Sequence, residues 1–294
     1  MALSNAGSTV SNAFVTQFAD DVIHAAQQKV SKLAGSVRTV RNVIGSTYKF
    51  NTLTKGGFIK NKLRFEDITV MSDSSKSLGG SGAYTGGVAS HAVVTATLNN
   101  YVAGEYVDDF DQLKTNFDFR QTYAESIGSA LARAYDTEIV TVLDASSPST
   151  TVTAGSGLTK AKFLEIAEGL NSNNVDTADR YIVISPPALT DLLADTGVTT
   201  AADGAISNVA LATGFIPNFL GFSLIVSNLL NEASTGIRKC YAFQKNAVGL
   251  AVGKDITAMI NYVPQKVSHL VAGEFSAGAA VIDTTGVVII NVTE

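Results

Sequence analysis

The stretch DQLKTNFDFRQTYAESIGSALARAYDTEIVTVLD, Asp111 to Asp144, decides how the rest of the chain is read. From Tyr123, apolar residues recur at Ile127, Leu131, Ala134, Ile139 and Val142, in steps that keep one stripe on one face of a helix. Gly128 is the one Gly or Pro inside the stretch, at a cost of about 1 kcal/mol relative to Ala. Asp111 and Asp118 stand near the start, where the helix dipole favours negative charge. Pro148, among Ser and Thr, closes it. A helix from Phe117 to Leu143 would be about 40 Å long. Extended basic sequence precedes it and alternating helix and strand follow. The helix therefore reads as a spine, to which the other parts attach.

The charges are sorted along the chain. No acidic residue lies between Asp21 and Glu66, a span with nine basic ones: Lys29, Lys32, Arg38, Arg41, Lys49, Lys55, Lys60, Lys62 and Arg64. From Glu105 to Asp144 there are nine acids against Lys114, Arg120 and Arg133. Blocks of opposite sign can pair within a chain, between copies or with outside partners, or form solvated faces. The net charge of −5 hides this division.

The 294 residues suffice for one large domain or two modest ones. No apolar run reaches the roughly 20 residues of a membrane-crossing helix. MALSNAGSTVSNAFV lacks the basic-then-apolar layout of a signal peptide, so synthesis in the cytosol is the expectation. The single Cys240 excludes an internal disulfide, and its flanks, KCYAF, read as a buried strand.

Before the spine, Ser11 or Asn12 can cap a helix carrying Phe14, Phe18, Val22 and Ala25 at helical spacing and fading near Gly35. Val37–Val40, Thr47–Phe50, Ile68–Val70 and Ala92–Leu98 read as strands. Between the last two, Ser72–Ser90 holds five glycines and six serines, too little apolar matter for a core. The simplest geometry is a long two-stranded arm with a tip that orders only against neighbours. The glycines do not form a phosphate-binding loop, because no G-x-x-x-x-G-K-[ST] pattern links a strand to a helix.

After the spine, Thr159 caps a helix through Glu168, and Tyr181–Ser185 is a buried strand. Pro186-Pro187 then open a helix, Ala188–Ala194, with Pro in a tolerated first-turn position. Thr196–Gly214 reads as a long loop, followed by strands at Phe222–Ser227 and Lys239–Phe243. The end is all β: Leu250–Val252, Thr257–Tyr262, Lys266–Val271, Phe275–Ile282 and Gly286–Val292. This section is expected to pack back against the spine.

Catalytic chemistry finds no purchase. His24, His91 and His269 lie far apart, outside any H-E-x-x-H pattern, and no G-x-S-x-G elbow is present. The adjacent acids Asp20-Asp21 and Asp108-Asp109 point opposite ways on an extended chain, so neither pair is a dyad. Asp108, Asp109 and Asp111 could help hold a hard cation, but a charged helix start explains them more simply. The reading is a non-enzyme with no catalytic residue, cofactor or metal.

The order of parts resembles a tailed-bacteriophage major capsid protein with the HK97 fold. Asn12–Phe18, followed by Val22–Lys29 and Leu33, resembles the start of such chains. Val107-Asp108-Asp109-Phe110-Asp111 resembles the acidic approach to their spine helix. Ile184–Leu189 with Leu192-Leu193 resembles the strand–helix step of their axial domain, and Phe219–Phe222 the loop-to-strand step after it. Phe243–Leu250 resembles the return to their peripheral domain. The resemblance spans nearly the whole chain.

It implies an α+β fold with an N-terminal arm at 1–44 and an extended β-hairpin loop at 45–100. A peripheral domain with the spine helix follows at 101–150, an α/β axial domain at 151–248 and closing peripheral β at 249–294. It also implies self-assembly into pentamers and hexamers of an icosahedral head around double-stranded DNA, in a virion assembled in the host cytoplasm, with no membrane. A separate scaffolding protein, a portal and a decoration or cement protein are the implied partners. Maturation is expected to be non-covalent. In such shells the extended loop lies over a neighbour's peripheral domain. Lys55, Lys60, Lys62 and Arg64 are then expected to meet acids among Asp108, Asp109, Asp111 and Asp118, while Lys29, Lys32, Arg38 and Arg41 face DNA. An encapsulin-type nanocompartment shell and a phage tail-tube protein are the alternative readings.

Overall fold

The computed structural model describes residues 28–53, 58–59, 64–65, 84–85, 91–112, 114, 118–153, 155–195 and 216–294. The helix read around Phe14–Ala25, the strand at Ile68–Val70 and the loop at Thr196–Gly214 fall outside these residues.

The spine is one helix, α2, Phe119–Ala145. Its start is set by Asp118, whose backbone is extended and whose carboxylate accepts from the Arg120 amide at 3.0 Å. That bond satisfies an amide with no partner inside the helix. Asp111 lies instead in a separate single turn, α1, Asp109–Gln112. At the far end the Ser146 amide and hydroxyl both donate to the Leu143 carbonyl, at 3.2 and 2.6 Å. The buried stripe runs in steps of four: Ile127, Leu131, Tyr135, Ile139, Leu143. The expected Ala134 and Val142 are only half-buried, one position off that ridge.

The stripe lies on a four-stranded sheet. Its order is β1 (Arg38–Val40), β13 (Val248–Val263), β14 (Ser268–Val281) and β6 (Asn99–Asp108). The pairs β13–β14 and β14–β6 are antiparallel, and β1 runs parallel to β13. Helix and sheet approach closely at Gly273, where a Cβ would stand 2.7 Å from both Ile127 and Leu131. One step along, the rings of Tyr135, Phe275 and Tyr101 stack with centroids 4.3 and 4.6 Å apart, joining the spine to β14 and β6.

Two long strands replace four expected short ones. β13 joins Leu250–Val252 to Thr257–Tyr262, with register shifts between Val252 and Lys254 and between Lys254 and Thr257. Bulges absorb the Gly253-Lys254-Asp255 interruption that breaks the apolar pattern. β14 likewise contains both Val271 and Phe275, with Lys266 and Val267 left in the turn before it.

A seven-stranded mixed sheet forms the other layer. Its order is β7 (Thr150–Val152), β15 (Val287–Thr293), β12 (Ile237–Gln244), β8 (Arg180–Ile184), β10 (Phe222–Val226) and β9 (Asn218–Phe219), with β11 (Glu232–Ser234) on β12. Helices α3 (Lys160–Ser172) and α4 (Pro186–Ala194) belong to this half. Ser185 caps α4, its hydroxyl accepting from the Ala188 amide at 3.3 Å.

The last strand is a correction to the sequence reading. Gly286–Val292 was expected within the closing peripheral section, yet β15 lies in the seven-stranded sheet between β7 and β12. Val287, Val288, Ile290 and Val292 are all fully buried. A strand covered on both faces is a continuous apolar run, which carries no alternation to say which sheet it joins. β7 straddles the boundary expected at 150, with Thr151 and Val152 already on the axial side, and it pairs with β15. One continuous cluster of buried side chains links both sheets through the spine.

The arm stands on this body. β2 (Thr47–Leu53) pairs antiparallel with β5 (His91–Thr97), and β3 (Phe58–Ile59) with β4 (Tyr84–Thr85). The second ladder is offset from the first by a single residue, so both belong to one hairpin. Tyr84 and Thr85 were read as part of the tip and are strand instead, in keeping with their β-branched and aromatic character. Phe50 and Ala96 bury the root against Ala251 and Ala280. Gly278 of β14 makes that seat possible, because a Cβ there would lie 2.0 Å from the Thr97 carbonyl oxygen.

Gly278→Ala is therefore expected to displace the arm's root. Overpacking of this kind costs about 1–3 kcal/mol, and backbone cannot rotate away as a side-chain end can. Urea unfolding of the unassembled protein measures the loss; a change under about 0.5 kcal/mol would refute the close seat.

Candidate assembly surface

Three surfaces hold the charged residues that the sequence singled out. The first is the arm. Lys55, Lys60 and Lys62 fall outside the described residues. Arg64 is exposed, with its guanidinium 5.9 Å from the ring centre of Phe65, which is itself 95% exposed. Ile44, where the chain leaves the body for the arm, is 99% exposed.

The second surface is the acidic end of the spine, and it divides the four expected acids. Asp108 and Asp111 line one hollow of about 320 Å³ together with Tyr106, Phe119 and Tyr123. Asp108 accepts from the Phe110 amide at 2.8 Å, and Asp111 pairs with Lys114 at 3.1 Å. Asp109 lies 3.3 Å from Nε2 of His269 on β14. Asp118 is spent on the helix cap and on Arg120, and the hydrogen bond from that guanidinium holds its carboxyl below the usual range. Lys266 sits 3.7 Å over the Tyr106 ring, so this corner already holds a cation against an aromatic face.

The third surface is the chain leading to β1. Its four bases do not form one patch. Lys29 and Arg41 border a groove of about 920 Å³ between this segment, the spine and β13. Arg41 also pairs with Asp255 at 2.7 Å. Lys32 donates to the Val226 carbonyl at 2.9 Å, beside the seven-stranded sheet. Arg38 is exposed on β1. The groove floor is apolar, with Tyr135, Leu250 and Val252, and Gly128 and Ser129 of the spine lie along it. Among the described residues, a Cβ at Gly128 would meet nothing within 4 Å.

The model of the family described as "phage capsid protein" matches residues 10–294. The chain belongs to this family.

Solved structures agree on the fold. The capsid protein matches a chain of the cyanophage P-SCSP1u capsid with TM-score 0.73 and 19% identity, over 98% of this chain and 96% of that one. A chain of Mycobacterium phage Che8 matches with TM-score 0.72 and 17% identity, over 94% and 96%. The capsid of Helicobacter pylori bacteriophage KHP30 matches with TM-score 0.70 and 11% identity, over the whole of both chains. No curated protein sequence matches. The capsid protein thus has the HK97 fold and is a structural part of the virion shell. No described helix is long and apolar enough to cross a membrane.

The buried ionisable groups of the capsid protein serve its architecture. Cys240 lies inside β12, where burial pushes its thiol up to about 11, leaving no thiolate at neutral pH. Lys162, its ammonium shifted down by burial, donates to the Ser156 and Asn291 carbonyls at 2.8 and 2.9 Å. Asp144, near the end of the spine, takes hydrogen bonds from Lys239, from Asn231 at 3.1 Å and from Tyr241 at 3.2 Å. Asp136 is 0% exposed and binds the chain entering from residue 28. The sequence reading placed Cys240 in a buried strand but assigned no role to Lys162, Asp144 or Asp136. A charged residue inside the spine's apolar register, at Asp136, was the available signal.

Asp144 has a measurable signature. Burial alone would raise its carboxyl, but the bonds from Lys239, Asn231 and Tyr241 and the Lys239 charge together hold it below its usual value. The unfolded chain then takes the proton first as pH falls. The contribution is complete above the ordinary carboxylate value of about 4 and declines as pH drops through the lower folded value. Asp144→Asn should be about 1–3 kcal/mol less stable at pH 7, with the gap to the parent narrowing below about pH 4. A gap that stays constant from pH 7 to pH 2 in urea unfolding would overturn this account.

Proposed function

We propose that this capsid protein assembles, as pentamers and hexamers of itself, into an icosahedral head around double-stranded DNA. The observation that carries the reading is the hairpin arm. Its root is seated tightly on Gly278, while Phe65 and Leu53 farther along remain exposed in the single chain. An apolar residue so open gains burial only against another molecule. In this reading 1–44 is the N-terminal arm and 45–100 is the extended loop that crosses the neighbouring copy. The four-stranded sheet with the spine is the peripheral domain, into which β1 of the first segment and Asn99 and Asn100 at the end of the second also pair. The seven-stranded sheet, including 150–152 and 287–293, is the axial domain.

The bases of the crossing loop, Lys55, Lys60, Lys62 and Arg64, meet the acidic end of the neighbour's spine. The hollow that Asp108 and Asp111 line is the acceptor in this reading, because it is an open recess that sets carboxylates beside the Tyr106, Phe119 and Tyr123 rings. Exposed pairs contribute only about 0.2–1 kcal/mol each, so their value lies in register. Contact with DNA rests on Lys29 and Arg38, since Lys32 and Arg41 are engaged with Val226 and Asp255. Such contact is independent of sequence and weakens with salt. A separate scaffolding protein, a portal and a decoration protein complete the proposed assembly.

Electron microscopy of the purified chain, alone and co-expressed with a scaffolding protein, tests the reading. Closed shells that retain DNA support it. Protein-filled shells would favour an encapsulin-type compartment, and tubes a tail protein. Within the assembling system, Lys60→Glu with Lys62→Glu should leave the far-ultraviolet circular dichroism unchanged and reduce shell yield several-fold. Shells at parental yield would remove the charge pairing from the account.

A further inference from the structure

The least expected group in the body is a buried charge. Asp136 projects from the middle of the spine, among Ala132, Ile139 and Val140, and is 0% exposed. Four donors converge on it from residues about one hundred positions earlier. Oδ1 accepts from the Ser31 hydroxyl at 2.5 Å and the Leu33 amide at 3.0 Å. Oδ2 accepts from the Gln28 side-chain amide at 2.6 Å and the Lys32 amide at 3.1 Å. Each oxygen thus takes one side-chain and one backbone donor. One turn earlier on the spine, Arg133 donates to the Gln28 carbonyl at 3.2 Å.

The segment so held has no regular secondary structure from Gln28 to Leu33. Only Leu33 is anchored by apolar burial, at 0% exposure, whereas Val30 points outward at 73%. The outer part, Gln28 to Ser31, is fixed by polar contacts. Burying a carboxylate is expensive, and an apolar side chain would fill the site at lower desolvation cost. The carboxylate instead supplies direction, since four hydrogen bonds determine an orientation that apolar contact leaves loose.

That direction matters beyond this segment. Twenty-seven residues precede Gln28. The held segment also forms one wall of the groove beside the spine, through Lys29, Val30 and Ser31. We propose that Asp136 is a positioning residue for shell assembly: with Gln28 and Ser31 it fixes the course of the segment from Gln28 to Leu33 along the spine, and so the surface that this segment presents to a neighbouring copy. This rests on the reading that copies assemble into a shell.

The test separates folding from assembly. Gln28→Ala with Ser31→Ala removes two side-chain donors and keeps both backbone donors on Asp136. The unassembled double variant should melt within about 3 °C of the parent. Trypsin cleavage after Lys29 and Lys32 should become several-fold faster, with cleavage elsewhere unchanged. In the assembling system the variant should lose uniform closed shells, giving open sheets or mixed diameters. Ser31→Thr, which retains a hydroxyl, should assemble as the parent does. Asp136→Asn should repeat the assembly defect with a larger loss of stability. Uniform shells at parental yield from the double variant overturn the positioning role and leave the shell reading intact. A parent chain that forms no shell under any of these conditions overturns both.

Discussion

The contact between one stripe of the spine and the four-stranded sheet is the constraint on which everything else depends. Ile127 and Leu131 come so close to β14 that a Cβ at position 273 would stand 2.7 Å from each and force them to shift. Tyr135 continues the seam through its stack with Phe275 and Tyr101. The seam sets the height of the helix above the sheet. That height in turn places Asp118 and α1 at one end of the spine, Asp136 in the middle and Asp144 at the other end. Each of these carboxylates then joins a different part of the chain: the acidic corner, the segment after residue 28 and strand β12.

The carboxylates along the spine show how one residue type does different work in different surroundings. Asp118 is half-exposed and closes the helix start with a local bond. Asp144 is three-quarters covered and ties the last turn to Lys239 and Tyr241. Asp136 is completely covered, and its donors among the described residues are neutral groups of the segment it holds. The progression from solvent to interior follows the increasing need for convergent hydrogen bonds as water is withdrawn.

What the sequence made legible follows from the same physics. The spine could be read because a helix with one covered face repeats at a fixed period, and Ile127, Leu131 and Ile139 kept that period. Tyr135 was harder to read, because an amphipathic ring carries no clear sign of its side. The hairpin arm was legible from alternation at Thr47–Phe50 and Ala92–Leu98. Gly286–Val292 was legible as a strand, but burial on both faces erases the alternation that would say which sheet it joins. The charge blocks announced themselves, but sequence could not say that Asp109 faces His269, that Arg41 faces Asp255 or that Asp118 is a cap. Those pairings depend on residues brought together across the fold. The membership of the family came through the order of parts, since each short motif alone is shared by many chains.

The seat of the arm has a mechanical consequence. The Thr97 carbonyl occupies the space a side chain would take at Gly278, so backbone rests directly on backbone. At that point no side chain lies between the two strands, and Phe50 and Ala96 pack beside it. Force applied far out on the hairpin is therefore delivered undamped to β14, with Gly278 as the fulcrum and the hairpin as the lever. β14 carries Gly273 and Phe275, which meet the spine at Ile127, Leu131 and Tyr135. A load on the arm of one molecule thus reaches the centre of that molecule within a few residues, and the stiffness of the whole becomes a property of this single strand.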